Sequence, residues 1–235
     1  MIAVTFALPV ESKDFVERLA KRWIVSREGV ETIRGEINGL PIAVIHTGVG
    51  GKASQQSIEA FLKRERVDYL ISAGLAGALD PELKLGDLII AENYSSRELL
   101  ESPHLRLEEA AIYLAPIVTA PAIVESKADR EKLAKESGAA AVDMETEFIA
   151  KACAVRKVPM ISLRAISDTI AEPFPAPAKV LFDVEKQKTP AARLAFYLAT
   201  HPAAIGRLKN FGARIAHARE ALTNALLTVL REKLL

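Results

Sequence analysis

Short apolar runs of β-favouring residues alternate with longer amphipathic stretches along the chain. IAVTFAL (2–8) reads as a buried strand and SKDFVERLAKRW (12–23) as the helix after it. ETIRGEI (31–37), an Asn38-Gly39 turn and LPIAVIHTG (40–48) predict a hairpin, because Asn-Gly accepts the positive φ that a tight turn requires. A helix at KASQQSIEAFLKRE (52–65) precedes two strands, VDYLISAG (67–74) and DLIIAENY (87–94). After a middle of weaker pattern comes a helix in AAAVDMETEFIAKACAV (139–155), then a strand, MISLRAIS (160–167). A Pro-rich link, EPFPAPA (172–178), leads to helical patterns near 190–200 and 204–232. This alternation predicts a single-domain α/β fold, a three-layer αβα sandwich with a mixed, mainly parallel central sheet. One domain would span 1–235, with the link and a helical tail from about 171 to 235.

Composition narrows the picture. Half of the 235 residues are hydrophobic, enough for a sizeable core, and 31 basic residues nearly balance 30 acidic ones. A net charge of +1 gives no footprint for nucleic acid. Cys153 is the single cysteine, so no intrachain disulfide forms, and a reducing cytoplasm is expected. The apolar start lacks a basic leader, and no run approaches the roughly 20 apolar residues of a spanning helix. The expectation is a soluble protein without stable membrane insertion.

In such sheets, ligands collect beyond the carboxyl ends of the strands. Glu11, the glycine-rich GVGGKA (48–53) and AGLAGAL (73–79), and the run from Arg164 to Asp168 all fall there. GVGGKA matches a dinucleotide fingerprint, but Asp68, the acid at the right spacing, starts its strand instead of ending it. A tight turn approaching a small ligand, or glycines used for packing, fit better. Arg164, among apolar neighbours, needs an anionic or hydrogen-bonding partner: either a structural pair or a site carboxylate. Asp168, where the strand ends, is either a turn cap or a general acid, and Glu11 either a helix-start acid or a site residue. The four histidines lack metal-ligand spacing, and Cys153 reads as an inert core thiol. Of the acids in VDMETE, Asp143 suits a cap and Glu147 an exposed pair with Lys151. Glu145 faces Phe148 and Ile149, where a carboxylate needs a partner that a ligand hydroxyl would supply.

AVDMETEFIAKACAVRKVPMISLRAISD resembles the late motif of the nucleoside phosphorylase/nucleosidase superfamily, a V-x-M-E helix followed by a strand ending R-A-I-S-D. IAVTFALPVES, HTGVGGKAS and SAGLAGALDPELKLGDLII resemble its first strand and glycine turns, so the likeness covers about residues 1–168. SKADREKLAKESGAAAVDMET and THPAAIGRLKNFGARIAHAREAL look closer still to the hopanoid-associated phosphorylase branch, which is thought to remove adenine from adenosylhopane. The resemblance implies that Asp168 protonates the leaving purine at N7 and that Glu11 activates a water which Arg164 helps to place. It implies further that Glu145 holds ribose hydroxyls, Met144 packs on the sugar and Ile123 and Val124 flank the base. Gly74, Leu75 and Ser167 would complete the substrate site.

Leu75 stands where many members carry Ser or Thr, and Ser72 where hexameric phosphorylases place Arg, so hydrolysis is favoured over phosphorolysis. No cofactor or metal is implied, and phosphate is the one candidate co-substrate. The enzymatic alternatives are a 5′-methylthioadenosine/S-adenosylhomocysteine nucleosidase and a purine nucleoside phosphorylase; the non-enzymatic one is a nucleoside-binding protein that has lost catalysis. A small nucleoside is the expected partner, and a homodimer or higher homo-oligomer the expected assembly. A lipid-like substrate would need an apolar channel or transient membrane contact, through PFPAPAKVLF (173–182) and the apolar face of the last helix. The plainer reading of both is a link followed by core-packing or dimer-packing helices.

Overall fold

The computed structural model describes residues 1–27, 30–106, 108, 111–171 and 174–235. The chain runs β1 (Ile2–Phe6), α1 (Pro9–Glu17), β2 (Ala20–Arg27), β3 (Val30–Ile37), β4 (Leu40–His46), α2 (Gly51–Leu62), β5 (Leu70–Ala78), β6 (Leu88–Ala91) and α3 (Arg97–Leu100). It continues through β7 (Ile112–Ala115), β8 (Ile117–Thr119), α4 (Lys127–Ser137), β9 (Ala141–Asp143), α5 (Thr146–Arg156), β10 (Met160–Asp168), α6 (Ala178–Leu181), α7 (Ala191–Thr200) and α8 (Ala203–Val229).

The sheet is ordered β2-β3-β4-β1-β5-β10-β6-β7, and its centre, β4-β1-β5-β10, is parallel. Every residue of β1 and β10 is buried, as expected of strands covered on both faces. On one face α8 contributes Ala218, Leu222, Leu226 and Val229 to the main core, together with Phe15 of α1. On the other, α2 and α5 pack Ile58, Phe61, Ile149 and Cys153 over the sheet. The architecture is therefore the mixed, mainly parallel αβα sandwich that the pattern predicts. Among the described residues no helix is long and apolar enough to cross a membrane.

The β3–β4 hairpin turns at Asn38 (φ 50°) and Gly39 (φ 78°), the pair of positive angles its sequence announces. Elsewhere tertiary pairing overrides local pattern. The helix expected over 12–23 ends at Glu17, and Ala20 onward becomes the edge strand β2, with Trp23 and Ile24 opposite Arg34 and Ile33. Aromatic and β-branched residues there find a strand partner in β3, which an isolated helical period does not reveal. AGLAGAL is no turn: β5 runs through it to Ala78. VDMET opens with a short strand, β9, hydrogen-bonded to both β5 and β8, so α5 starts only at Thr146. Within the Pro-rich link, Glu172 and Pro173 lie outside the described residues.

Candidate active site

A cavity of about 300 Å³ opens beyond the carboxyl ends of β1, β5 and β10, at the lower end of the range for small-molecule sites. Glu11, Leu75, Ile123, Val124, Met144, Glu145, Ser167 and Asp168 all line it, so the structure brings these sequence candidates together. Arg164 and Gly74 lie beneath its floor, beside a void of about 10 Å³ that also touches Thr5, Ser72, Glu11 and Glu145.

Glu11 sits in the first turn of α1. Its Oε2 accepts from Leu8 N at 3.0 Å, so the helix start orients the carboxylate. Burial pushes the Glu11 carboxyl above its ordinary value, while the Leu8 amide and the Arg164 charge pull it back. Glu145 precedes α5, and its Oε1 accepts from Gly50 N at 2.6 Å. Burial and the neighbouring Asp143 charge raise Glu145 to about 8.

Arg164 is 2% exposed, and its donors are spent inside the protein. Nε donates to Asp143 Oδ2 at 3.0 Å, NH1 to the carbonyls of Ser72 (2.6 Å) and Leu163 (3.0 Å), and NH2 to Ser72 Oγ (3.0 Å) and Thr146 Oγ1 (2.6 Å). Its anionic partner is therefore Asp143, the residue the sequence offers as a cap. Asp143 does accept from Thr146 N at 3.1 Å, and Thr119 Oγ1 adds a bond at 2.8 Å. Arg164 thus acts on the cavity through its charge, directly under Glu11 and Glu145.

Asp168 is 5% exposed and ends β10. Its Oδ1 accepts from Ser167 Oγ at 2.8 Å and its Oδ2 pairs with Arg130. Arg130 also donates from Nε to Val124 O at 3.0 Å and from NH1 to Ala78 O at 3.3 Å. One guanidinium thereby ties the Ile123–Val124 wall, the end of β5 and the Asp168 carboxyl together. Sequence reading missed Arg130, because DREKLAKE has the look of an ordinary exposed helix. Gly77 makes the arrangement possible, since a Cβ there would stand 2.9 Å from Asp168 Oδ2.

The GVGGKA turn faces inward. Gly48 and Gly50 take φ of 79° and 89°, and the amides that follow the bend are engaged: Val49 N by Gln187 Oε1 at 2.7 Å, Gly50 N by Glu145. Gly51 allows α2 to meet α5, for a Cβ there would lie 2.2 Å from the Phe148 ring. The outer wall of the cavity comes from the tail: Phe174, Leu181, Phe182, Phe211 and Ile215. Phe174, Leu181 and Phe182 come from 173–182 and Phe211 and Ile215 from α8, the two stretches that the sequence offers for an apolar channel. Glu147 pairs with Lys151 on the outer side of α5. Cys153 is buried, and burial pushes its thiol up to about 12. Among the described residues no cluster of three or more His, Cys, Asp or Glu could hold a metal ion.

Residues 1–201 match the Phosphorylase superfamily. Among solved structures, a 5′-methylthioadenosine/S-adenosylhomocysteine nucleosidase of Colwellia psychrerythraea, in complex with adenine, is similar at a TM-score of 0.75 and 18% identity, covering 100% of this chain and 97% of that one. The corresponding nucleosidase of S. pneumoniae, with a transition-state inhibitor, gives 0.72 at 20% identity and 98% coverage of both chains. The futalosine hydrolase of Helicobacter pylori gives 0.71 at 19%, covering 99% of this chain and 97% of that one. At these identities the likeness carries the fold.

Proposed function

The chain belongs to the phosphorylase superfamily, enzymes of the nucleosidase or nucleoside phosphorylase kind, and we propose that it releases adenine from a nucleoside by hydrolysis of the N-glycosidic bond. The observation that carries this reading is the meeting of Glu11, Glu145 and Asp168 around one cavity, with Arg164 beneath. The base lies between the Ile123–Val124 wall and Asp168; Asp168 enters as the carboxylic acid, gives its proton to N7 and leaves the step as the carboxylate paired with Arg130. Glu145 takes the ribose hydroxyls, and Met144 packs on the sugar. As the C1′–N9 bond lengthens, positive charge grows on the sugar, and Glu11 orients and deprotonates the attacking water. Ser167 and Arg130 hold Asp168 toward the cavity.

Water is favoured over phosphate by the void under Glu11. Its roughly 10 Å³ suits about one water molecule. Thr5 Oγ1, buried there without a partner among the described residues, is a ready hydrogen-bonding group for it. A phosphate is several times larger. The apolar outer wall supports a nucleoside with a bulky apolar 5′ substituent, and adenosylhopane is the substrate this reading names.

Chromatography of free base from a panel of adenosine, methylthioadenosine and adenosylhopane, with and without phosphate, tests it. Adenine release without phosphate is expected, fastest from adenosylhopane. Asp168→Asn should lower turnover by about a hundredfold or more while ligand binding largely survives. A strict phosphate requirement would overturn hydrolysis, and near-normal turnover by Asp168→Asn would overturn the acid. Tight nucleoside binding with no base released from any substrate would leave only a binding protein.

A further inference from the structure

Among the described residues α7 is the one helix of eight or more residues that buries none of its own side chains. Its sequence, AARLAFYLAT, holds a single charged residue, Arg193. Leu194, Tyr197 and Leu198 form an inner, half-buried face, and α7 packs against α6. The outer face, Ala192, Ala195, Phe196 and Ala199, is apolar and exposed, with Phe196 at 73%. Ile205, at the start of α8, extends the patch at 58% exposure. A helix apolar on both sides ordinarily lies inside a protein, so this face calls for cover.

Charge says what covers it. From Lys186 to Arg219 the chain carries seven Lys or Arg and no Asp or Glu, although the whole chain is nearly balanced. Lys186, Lys188, Arg193, Arg207 and Lys209 are exposed around the patch, and among the described residues none pairs with a carboxylate. Two acids, Asp183 and Glu185, stand directly before this stretch, and Asp183 Oδ1 accepts from Lys186 N at 3.1 Å. Among the described residues Arg193 and Arg207 donate to the backbone carbonyls of Lys179 (2.7 Å) and Pro175 (3.4 Å) and to no carboxylate.

We propose that α7 and the first turns of α8 dock on an anionic lipid surface, with Phe196 and Ile205 entering the headgroup boundary and the five cations meeting lipid phosphates. Basic residues flanking an apolar helical stripe are what interfacial binding uses. A second copy of the chain fits less well, because a two-fold interface would set these cations against themselves. Nucleic acid would leave the Phe196 stripe without a counterpart. The surface adjoins the outer wall of the cavity, since Leu181 ends α6, against which α7 packs, Phe182 follows it, and Phe211 lies about two turns beyond Ile205 on α8.

The test needs no activity, so its outcome is separate from that of the glycosidic reading. The full chain is sedimented with phosphatidylcholine vesicles with and without about 30% phosphatidylglycerol. Binding to the anionic vesicles alone, weakened by high salt, is expected. Phe196→Ser and, separately, Ile205→Ser should each weaken it on the order of fivefold or more, as should Lys186, Lys188 and Lys209 changed together to Gln. Both apolar positions are exposed, so melting temperatures should stay level. No binding to anionic vesicles, or equal binding by all variants, would overturn the proposal. So would light scattering in which Phe196→Ser alone halves the mass, which gives the face to a second copy. Tight duplex DNA binding insensitive to Phe196→Ser would give it to nucleic acid instead.

Discussion

Thr5 Oγ1 is buried at the void under Glu11 with no hydrogen-bond partner among the described residues, so it is placed to hold the attacking water. Thr5→Val keeps the shape and removes that hydrogen-bonding group. The variant should be slower by about tenfold with its melting temperature within about 2 °C of the wild type, a combination that ordinary damage to packing does not produce. Unchanged turnover would remove Thr5 from the reaction. Glu145 makes a second residue-level prediction. The folded carboxyl keeps its proton to about 8, whereas the unfolded one releases it near 4.5. The folded state thus holds the extra proton between those values, and stability falls as pH rises through that window. Glu145→Gln should flatten the melting temperature between pH 4.5 and 8 and raise it at pH 8; a wild-type slope would mean that another group, such as Glu11, dominates. Glu145 was legible in the sequence because a carboxylate on an apolar helix face is locally anomalous. Asp143 and Arg130 were not, because their meaning lies in partners 21 and 38 residues away along the chain.

The element that the sequence left least defined is the segment after α6. Gln187, at φ 51°, donates from Nε2 to Val49 O at 2.8 Å and accepts from Val49 N, so a loop of the tail is fastened to the glycine turn. Lys188 and Asp183 exchange backbone hydrogen bonds and close that loop on itself. Fastened this way, the segment holds Leu181 and Phe182 over the cavity. Gln187→Ala should raise KM several-fold with little change in kcat, since binding weakens while the reacting groups stay in place. Equal kinetics would make the fastening purely structural. The same contrast between local and distant information explains the strands. β10 and the β3–β4 hairpin were legible because a buried run and an Asn-Gly turn declare themselves locally. β2 was not, because its strand state comes from pairing with β3, and β9 was not, because three residues between β5 and β8 have no period to read.

At the scale of the molecule, the family match ends at residue 201, but the fold does not. Leu222, Leu226, Val229, Leu230 and Leu234 stand in the main core beside Phe6, Phe15 and Leu163. Burying five such side chains is worth about 10 kcal/mol, comparable to the whole stability of a domain. A chain cut after residue 201 should therefore show no cooperative melting, and a sharp transition in that fragment would mean that α8 is an accessory. The αβα class was legible at this scale because alternation of strands and helices is a property of the whole sequence. The outward face of α7 was not, since its apolar period looks the same whether it points at a core or away from one. Cys153, sealed between α5 and the sheet with its thiol raised to about 12, leaves the surface without a competing sulfhydryl. A cysteine introduced at Ala195 would then be the sole site for maleimide chemistry. An environment-sensitive dye attached there would shift in emission as the helix meets a bilayer, following the encounter in real time.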